Sequence, residues 1–449
     1  MAVTILPRGP RDNFLTGTLA EYQRDPLAFV TRTARRYGDV VFLRFGPTRL
    51  VLLSHPSLVE DVLITHHERF PKQRLVVRVL EPALGNGLFT SEGDFWRRQR
   101  RMMQPAFHRE RLAAYADAMV DGAQRRLATW RDGEVRDFHQ EMTQITLAIV
   151  AKTLFGADVS REAPGIGRAV TELLEATNAR MNNLLTVFLP YRVPVPVHLR
   201  IRRAVGQIDA LIYRIIAERR ASGGDPGDLL SLLLHARDED DGSQMTDRQV
   251  RDEAMTLFGA GHETTAVALA WAGYLLARHP QVEAKLVAEL DQVLRGRAPT
   301  AADFPHLRYT QMVVEETLRL YPPAWAIGRD VRQNTAVGGY PLRAGTLLMM
   351  SPCVLQRDPR YYDQPETFEP ERWRDGLAHR LPRFAYFPFG GGQRQCIGQG
   401  FAILEAVLVL ATVVQQFRLS LRPERRIVPA IAFTLRPKGG VPMLLQRRT

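Results

Sequence analysis

The sequence predicts a mainly α-helical fold with a smaller β-rich part. Three observations carry that prediction. Helical periodicity dominates from about Asp94 to Arg295. Two alternating runs near the start, Val40 to Arg44 and Arg49 to Leu53, read as a β-hairpin. A final apolar helix, Phe401 to Phe417, is followed by a β-like tail.

Taken in order, a Pro/Gly-rich leader, Met1 to Asn13, precedes a helical stretch from about Pro26 to Tyr37. Gly38-Asp39 opens the first alternating run, and Gly46-Pro47 separates it from the second. The helical mass is interrupted by the Pro-rich loop Leu189 to Pro196. Arg219 to Gly227 reads as a polar Gly/Ser linker inside that mass rather than a domain boundary. Thr246-Asp247-Arg248-Gln249 is a capping box, a hydroxyl N-cap with glutamine three residues on. The apolar pattern that follows continues to Arg278, just before His279-Pro280. At 1.5 Å per residue this helix runs roughly 50 Å. Its apolar content around Leu257 to Leu276 predicts burial on most sides. A shorter helix near Tyr309 to Leu320, short strands and a Gly-rich loop lead to the final helix.

Composition narrows the function classes. The 449 residues are 45% hydrophobic and 24% charged, enough for a large core and unlike a disordered chain. Two cysteines, Cys353 and Cys396, exclude a disulfide scaffold and form no paired metal spacing; they fit a reducing cytoplasm. The net charge of +12 is almost wholly arginine, since only four of the 60 basic residues are lysine. That excess fits compositional bias on solvated helix faces, or attraction to an acidic partner such as a small electron-transfer protein. Nucleic-acid binding has no motif to support it. The leader is too short and proline-broken for a signal sequence. Phe401 to Phe417 carries Glu405 and falls short of the roughly 20 residues that span a bilayer.

The sharpest segment is Phe387-Pro388-Phe389-Gly390-Gly391-Gly392-Gln393-Arg394-Gln395-Cys396-Ile397-Gly398. It sets one cysteine after a glycine-rich loop and at the threshold of an apolar helix. Orphan N–H groups at a helix start stabilise an anion, and Arg394 adds a nearby cation. Glycine lets a flat ligand approach the backbone. The pattern Phe-x-x-Gly-x-Arg-x-Cys-x-Gly, filled by Phe389, Gly392, Arg394, Cys396 and Gly398, resembles the haem-binding loop of the cytochrome P-450 monooxygenases. In that arrangement an axial thiolate pushes electron density toward O–O cleavage.

Further motifs agree in the family's order. Glu316-Thr317-Leu318-Arg319 resembles the family's Glu-x-x-Arg, whose charges share a helix face. Arg372 of Pro370-Glu371-Arg372-Trp373 closes the set, with Trp373 where the family usually has phenylalanine. The implied role of Glu316, Arg319 and Arg372 is structural. Ala260-Gly261-His262-Glu263-Thr264-Thr265 lies in the long helix, and the Thr264 hydroxyl can reach the Ala260 carbonyl four residues back and locally open the helix. The resemblance makes Glu263 and Thr264 the acid–alcohol pair that relays protons, with Ala260 and Gly261 beside the cofactor and Gly261 leaving room for dioxygen. His262, without a partner histidine, is a packing or supporting residue rather than a metal ligand. Trp96, Arg100, Arg329 and Arg394 match residues that bind haem propionates, for which guanidinium is well suited. Arg97, Arg98 and Arg101 are expected to be solvated or to form a basic docking face.

The resemblance spans residues 1–449 as a single haem domain, with about 38–60 and the C-terminal tail in the β-rich part and haem b between the long helix and the cysteine loop. Arg394, where many soluble bacterial members carry histidine, groups the chain with the eukaryotic-like and fatty-acid-oxidising branch. It implies that Cys396 ligates iron and that one atom of dioxygen enters an apolar fatty acid, terpenoid or carotenoid-like molecule by hydroxylation or epoxidation. No fused reductase and no membrane anchor are expected. Electrons are expected from a separate ferredoxin or flavodoxin and an NAD(P)H-dependent reductase, serving a cytoplasmic monomer. Leu257, Ala260, Ala324, Trp325, Ile431 and Phe433, with Leu75 to Leu88, fall where the family lines its substrate pocket; core packing explains the same apolar residues equally well. A peroxide-driven peroxygenase and a non-catalytic haem gas sensor or carrier are the competing readings, and the acid–alcohol pair counts against both.

Overall fold

The computed structural model describes residues 6–11, 13–156, 163–222, 227–422 and 427–448. Part of the leader and residues 223–226 of the expected linker lie outside the described residues. The chain forms two compact units.

One unit comprises the chain up to Arg74, Met312–Cys396 and Pro429–Arg436. Its helix Pro26–Tyr37 begins where Asp25 accepts the Ala28 N–H, with proline at the first helical position, and ends at Gly38 in a positive-φ conformation. The expected hairpin follows as strands Val40–Phe45 and Thr48–Leu53, paired antiparallel. Leu347–Met350 adds in parallel to the second strand, and Ile327–Asp330 closes the sheet. The period-two geometry of the second strand separates two cores. Val51 and Leu53 pack with Val59, Val62, Leu348, Met350 and Phe387 on one face. Leu50 and Leu52 pack with Phe29, Val30, Leu43 and Trp325 on the other.

The other unit is the helical mass, Leu75–Gln311 with Ile397–Val428 and Pro437–Thr449. Its centre is the helix Asp247–Arg278, 32 residues and about 48 Å long. The capping box is complete: Gln249 N–H donates to Thr246 Oγ1, and Thr246 N–H donates to Gln249 Oε1. Helices Phe138–Phe155, Pro196–Ser222 and Gln399–Gln416 pack on this axis. The last of these, 18 residues long, is apolar enough to cross a membrane by length and composition, but its apolar surface is spent on protein contacts. The β-like tail is realised as strand Pro442–Arg447, between Phe417–Leu421 and a strand missed in the sequence, Val135–Asp137.

One boundary differs from the sequence reading. The helix Pro196–Ser222 runs through Arg219 to Ser222, the start of the expected linker. Arg219 pairs with Asp228 at 2.7 Å and Arg220 with Asp247 at 2.6 Å, so the polar run is held in helix by ion pairs. Replacing Thr246 by alanine is expected to cost about 1 kcal/mol, read as a lower denaturant midpoint with an unchanged slope; an unchanged midpoint would show that the cap contributes nothing.

Candidate active site

The cysteine loop is built from consecutive turns. Gly390 N–H donates to Phe387 O, Gln395 N–H to Gly392 O, and Cys396 N–H to Phe389 O at 3.0 Å. Gly392 has φ +66°, and a Cβ there would lie 2.1 Å from the Leu63 carbonyl oxygen. Only glycine fits that close approach. Cys396 itself is exposed, three residues before the start of the helix Gln399–Gln416. Gly398 is the N-cap, where a Cβ would make ordinary contact with Phe107.

A residue that the sequence reading missed ties this loop to the rest of its unit. Gln356 is fully buried; its side-chain oxygen accepts the Phe387 N–H at 2.9 Å while its amide nitrogen donates to the carbonyls of Leu318 and Arg319. A lone glutamine carries no spacing motif, so nothing in the chain announces it.

Those two carbonyls belong to the helix that carries the Glu316 nest. Glu316 and Arg319 are both 0% exposed. Arg319 donates twice to the Glu316 carboxylate at 2.8 Å, and also to the carbonyls of Gln356, Pro365 and Thr367. Arg372 Nε donates to the same carboxylate at 3.0 Å, as does the Glu369 N–H. The departure at Trp373 proves useful: its indole N–H donates to Glu316 Oε2 at 2.9 Å, a bond phenylalanine cannot make. The Tyr362 ring lies 5.1 Å beneath the Arg319 guanidinium.

The long helix carries Glu263 and Thr264. Between Val250 and Leu276 only Leu257, Gly259, Ala260, Gly261 and Thr264 retain accessible surface. Leu257, Ala260, Gly261 and Thr264 are three, four and seven residues apart and so form one open stripe. Thr264 Oγ1 donates to Ala260 O at 2.8 Å, as its spacing predicts, and the helix continues unbroken through it. Glu263 is buried beside the stripe. A Cβ at Gly261 would lie 3.0 Å from Val150 Cγ2, so this glycine serves close packing of the neighbouring helix. His262 is fully buried, its Nδ1 donating to Phe258 O at 2.9 Å, and burial holds its pKa below the ordinary value. It is a packing residue. Thr265, the residue after Thr264, neighbours Glu405 of the last helix, whose carboxyl is pushed up to about 8 by burial.

The remaining sequence-predicted residues divide. Trp96, buried, and Arg100 stand one turn apart on the helix Gly93–Met103. Arg329 lies in the strand Ile327–Asp330, and Arg394 is half-buried in the cysteine loop. Arg97 is exposed and pairs with Asp94. Arg98 and Arg101 are neither free in solvent nor an open docking face: both hold Asp238, at 3.0 and 2.9 Å, and Arg101 also holds Asp240. The acidic turn Asp238–Asp241 consumes the charge expected for docking. Trp325 is part of a hydrophobic core with Ile431 packed at its edge, whereas Ala324 and Phe433 are exposed.

The cytochrome P450 family profile matches residues 7–442. The chain belongs to the cytochrome P450 family. It is similar to cyclooctatin synthase of Streptomyces melanosporofaciens, 39% identical over 92% of this chain and 90% of that protein. It is 37% identical to cyclooctat-9-en-7-ol 5-monooxygenase of the same organism, over 90% and 86% of the two chains. Pentalenene oxygenase of Streptomyces avermitilis is 36% identical over 97% and 96%. The fold is the P450 fold, and the chain is a P450 monooxygenase; the family brings a haem cofactor, dioxygen, electron-transfer partners and apolar substrates. The cysteine loop fits a haem: it offers an exposed thiol shortly before a helix, on a turn that excludes a Cβ at Gly392.

Two expectations follow. Glu316→Ala leaves the buried Arg319 guanidinium without its carboxylate, takes one of two carboxylates from Arg372, and is expected to cost about 3–5 kcal/mol, whereas Trp373→Phe removes one bond to a charged acceptor and is expected to cost about 2 kcal/mol. Urea unfolding should rank them in that order. Glu405 has a folded pKa near 8 against an ordinary 4.5, so its contribution to stability is full below 4.5 and is lost as pH rises through 8. Glu405→Gln should therefore match wild type near pH 4.5 and exceed it by an amount that grows up to about pH 8; a constant difference across that range would contradict the burial argument.

Proposed function

We propose that this P450 hydroxylates a terpenoid hydrocarbon or alcohol, with Cys396 as the residue that would hold the iron of haem b and electrons delivered by a separate ferredoxin or flavodoxin and an NAD(P)H-dependent reductase in the cytoplasm. The observation that carries this reading is the open stripe Leu257–Ala260–Gly261–Thr264 on a helix that is, Gly259 apart, otherwise buried from Val250 to Leu276. The stripe is apolar except for one hydroxyl, which suits a substrate without charge. Two similar proteins carry cyclooctat-9-en-7-ol and pentalenene in their names, which favours a terpenoid over a fatty acid.

Haem b held through Cys396 supplies the oxygen chemistry, one atom of dioxygen entering a C–H bond and the other leaving as water with two electrons and two protons. The chain's own residues govern access and protons. Thr264 presents its hydroxyl at the open stripe while its proton rests on Ala260 O. That hydroxyl can turn to donate to a neighbouring acceptor and return to the carbonyl afterwards. Glu263, next in sequence, is the carboxyl group that would pass it a proton and be reprotonated from solvent. Trp96, Arg100, Arg329 and Arg394 would hold the propionates, with guanidinium groups as charge-assisted donors. The Leu257 and Ala260 side chains exclude water from the reacting carbon.

Thr264→Ala is expected to retain the thiolate-type Soret band of the reduced carbon monoxide complex. It should also release most of the consumed NAD(P)H equivalents as peroxide, at least a fivefold loss of product per electron pair. Coupling equal to wild type would overturn the relay, and persistence of that Soret band in Cys396→Ala would overturn the ligand. For substrate class, spin-state titration should respond to cyclic sesquiterpene and diterpene hydrocarbons and alcohols. A response confined to long-chain fatty acids would exclude the terpenoid reading.

A further inference from the structure

The mechanism leaves a group of buried charges unused, in the N-terminal half of the long helix and in the helix Ala163–Asn182. Asp252 and Glu253 are 6% and 1% exposed. Both catch main-chain N–H groups of the loop that follows the helix Arg74–Leu84: Asn86 N–H donates to Asp252 Oδ2 at 2.9 Å and Leu88 N–H to Glu253 Oε2 at 2.8 Å. The other Asp252 oxygen is held by Arg251, which also pairs with Asp209. The loop backbone lies flat on the helix as a result. A Cβ at Gly87 would fall 2.6 Å from the Asp252 carbonyl oxygen and 2.3 Å from Thr256 Oγ1.

The same segment is gripped at its other end. Pro82 lies inside the helix Arg74–Leu84 and has no N–H, so the Arg78 carbonyl four residues back loses its helical donor. Arg180 Nη1 replaces it, donating to Arg78 O at 3.4 Å and Val79 O at 3.2 Å. Arg180 is 1% exposed, lies 5.4 Å from the Tyr191 ring centre, and among the described residues pairs with no carboxylate. A buried guanidinium spent on main-chain carbonyls fixes backbone rather than charge. Between the two grips Leu84 reaches the long helix: a Cβ at Gly259 would lie 3.9 Å from Leu84 Cδ2, immediately beside Ala260 of the stripe.

We propose that Arg180, Asp252 and Glu253 are positioning residues that clamp the 75–88 segment along the long helix, making it a fixed wall beside the Leu257–Ala260–Thr264 stripe and so setting which carbon of the substrate is presented. The inference rests on the stripe being the substrate side, as in the oxygenase reading above. Two carboxylates and one guanidinium acting on main-chain groups fix the backbone of the wall, and the absence of a Cβ at Gly85 and Gly87 is what lets that backbone lie against the helix.

The test uses the haem-loaded protein and two iron-binding probes, imidazole, which is small, and clotrimazole, whose three aryl rings press on the walls. Gly87→Ala forces the loop off the helix, and Arg180→Met removes the grip on the Arg78 and Val79 carbonyls. Each is expected to change the ratio of clotrimazole to imidazole dissociation constants at least tenfold, with the reduced carbon monoxide spectrum intact. Glu253→Gln keeps an acceptor oxygen for Leu88 and should stay within threefold of wild type. A ratio within twofold of wild type in Gly87→Ala overturns the proposal, and that variant decides the matter should Arg180→Met fail to accumulate. Hydrogen exchange gives a second reading: the Leu88 amide should exchange at least tenfold faster in Glu253→Ala, and an unchanged rate counts against the clamp. If terpenoids fail to bind wild type while the azole ratio still shifts, the substrate class falls and the clamp stands.

Discussion

A carboxylate removed from water, with every lone pair occupied, is the interaction on which the cysteine loop depends. Glu316 accepts from Arg319, Arg372, the Trp373 indole and the Glu369 N–H, and Arg319 spends its remaining donors on three carbonyls of the surrounding turns. Burying these charges is costly, and the cost is met only when all partners are in place. The nest therefore behaves as all or nothing. Its carbonyl contacts connect through Gln356 to the Phe387 N–H, so the turn presenting Cys396 inherits its rigidity.

The long helix works by a different economy. It is packed on nearly all sides, and between Val250 and Leu276 its accessible residues other than Gly259 fall on the face that includes Thr264. A helix so embedded cannot shift to suit a ligand, which favours precise placement of a single hydroxyl over adaptability. The 75–88 segment is held beside it by main-chain contacts as well as by its buried Val79, Leu80, Ala83 and Leu88.

Much of this was legible in the sequence because it rests on local rules. The capping box at Thr246, the proline start and glycine stop of Pro26–Tyr37, and the i, i+4 reach of Thr264 to Ala260 are properties of a few adjacent residues. The pairing of Glu316 with Arg319 is local as well. What stayed hidden depends on residues far apart in the chain. Gln356 gains its role from Leu318, Arg319 and Phe387; Asp252 and Glu253 gain theirs from Asn86 and Leu88; Arg98 and Arg101 are neutralised by Asp238. None of these partners is marked by spacing. The expected linker at Arg219 failed for the same reason, since ion pairs with Asp228 and Asp247 extend the helix past the polar residues that seemed to end it. Trp325 shows the converse: an aromatic in a stretch associated with ligand contact serves a core instead.

The strand Thr48–Leu53 carries a further consequence. Because it feeds one core with Leu50 and Leu52 and the other with Val51 and Leu53, losing or gaining a single residue would hand each side chain to the opposite compartment. Substitutions of similar bulk can accumulate there over evolutionary time, but insertions and deletions cannot. Descendants of this gene should therefore diverge in length around that strand, in the turns, while its own residue count stays frozen.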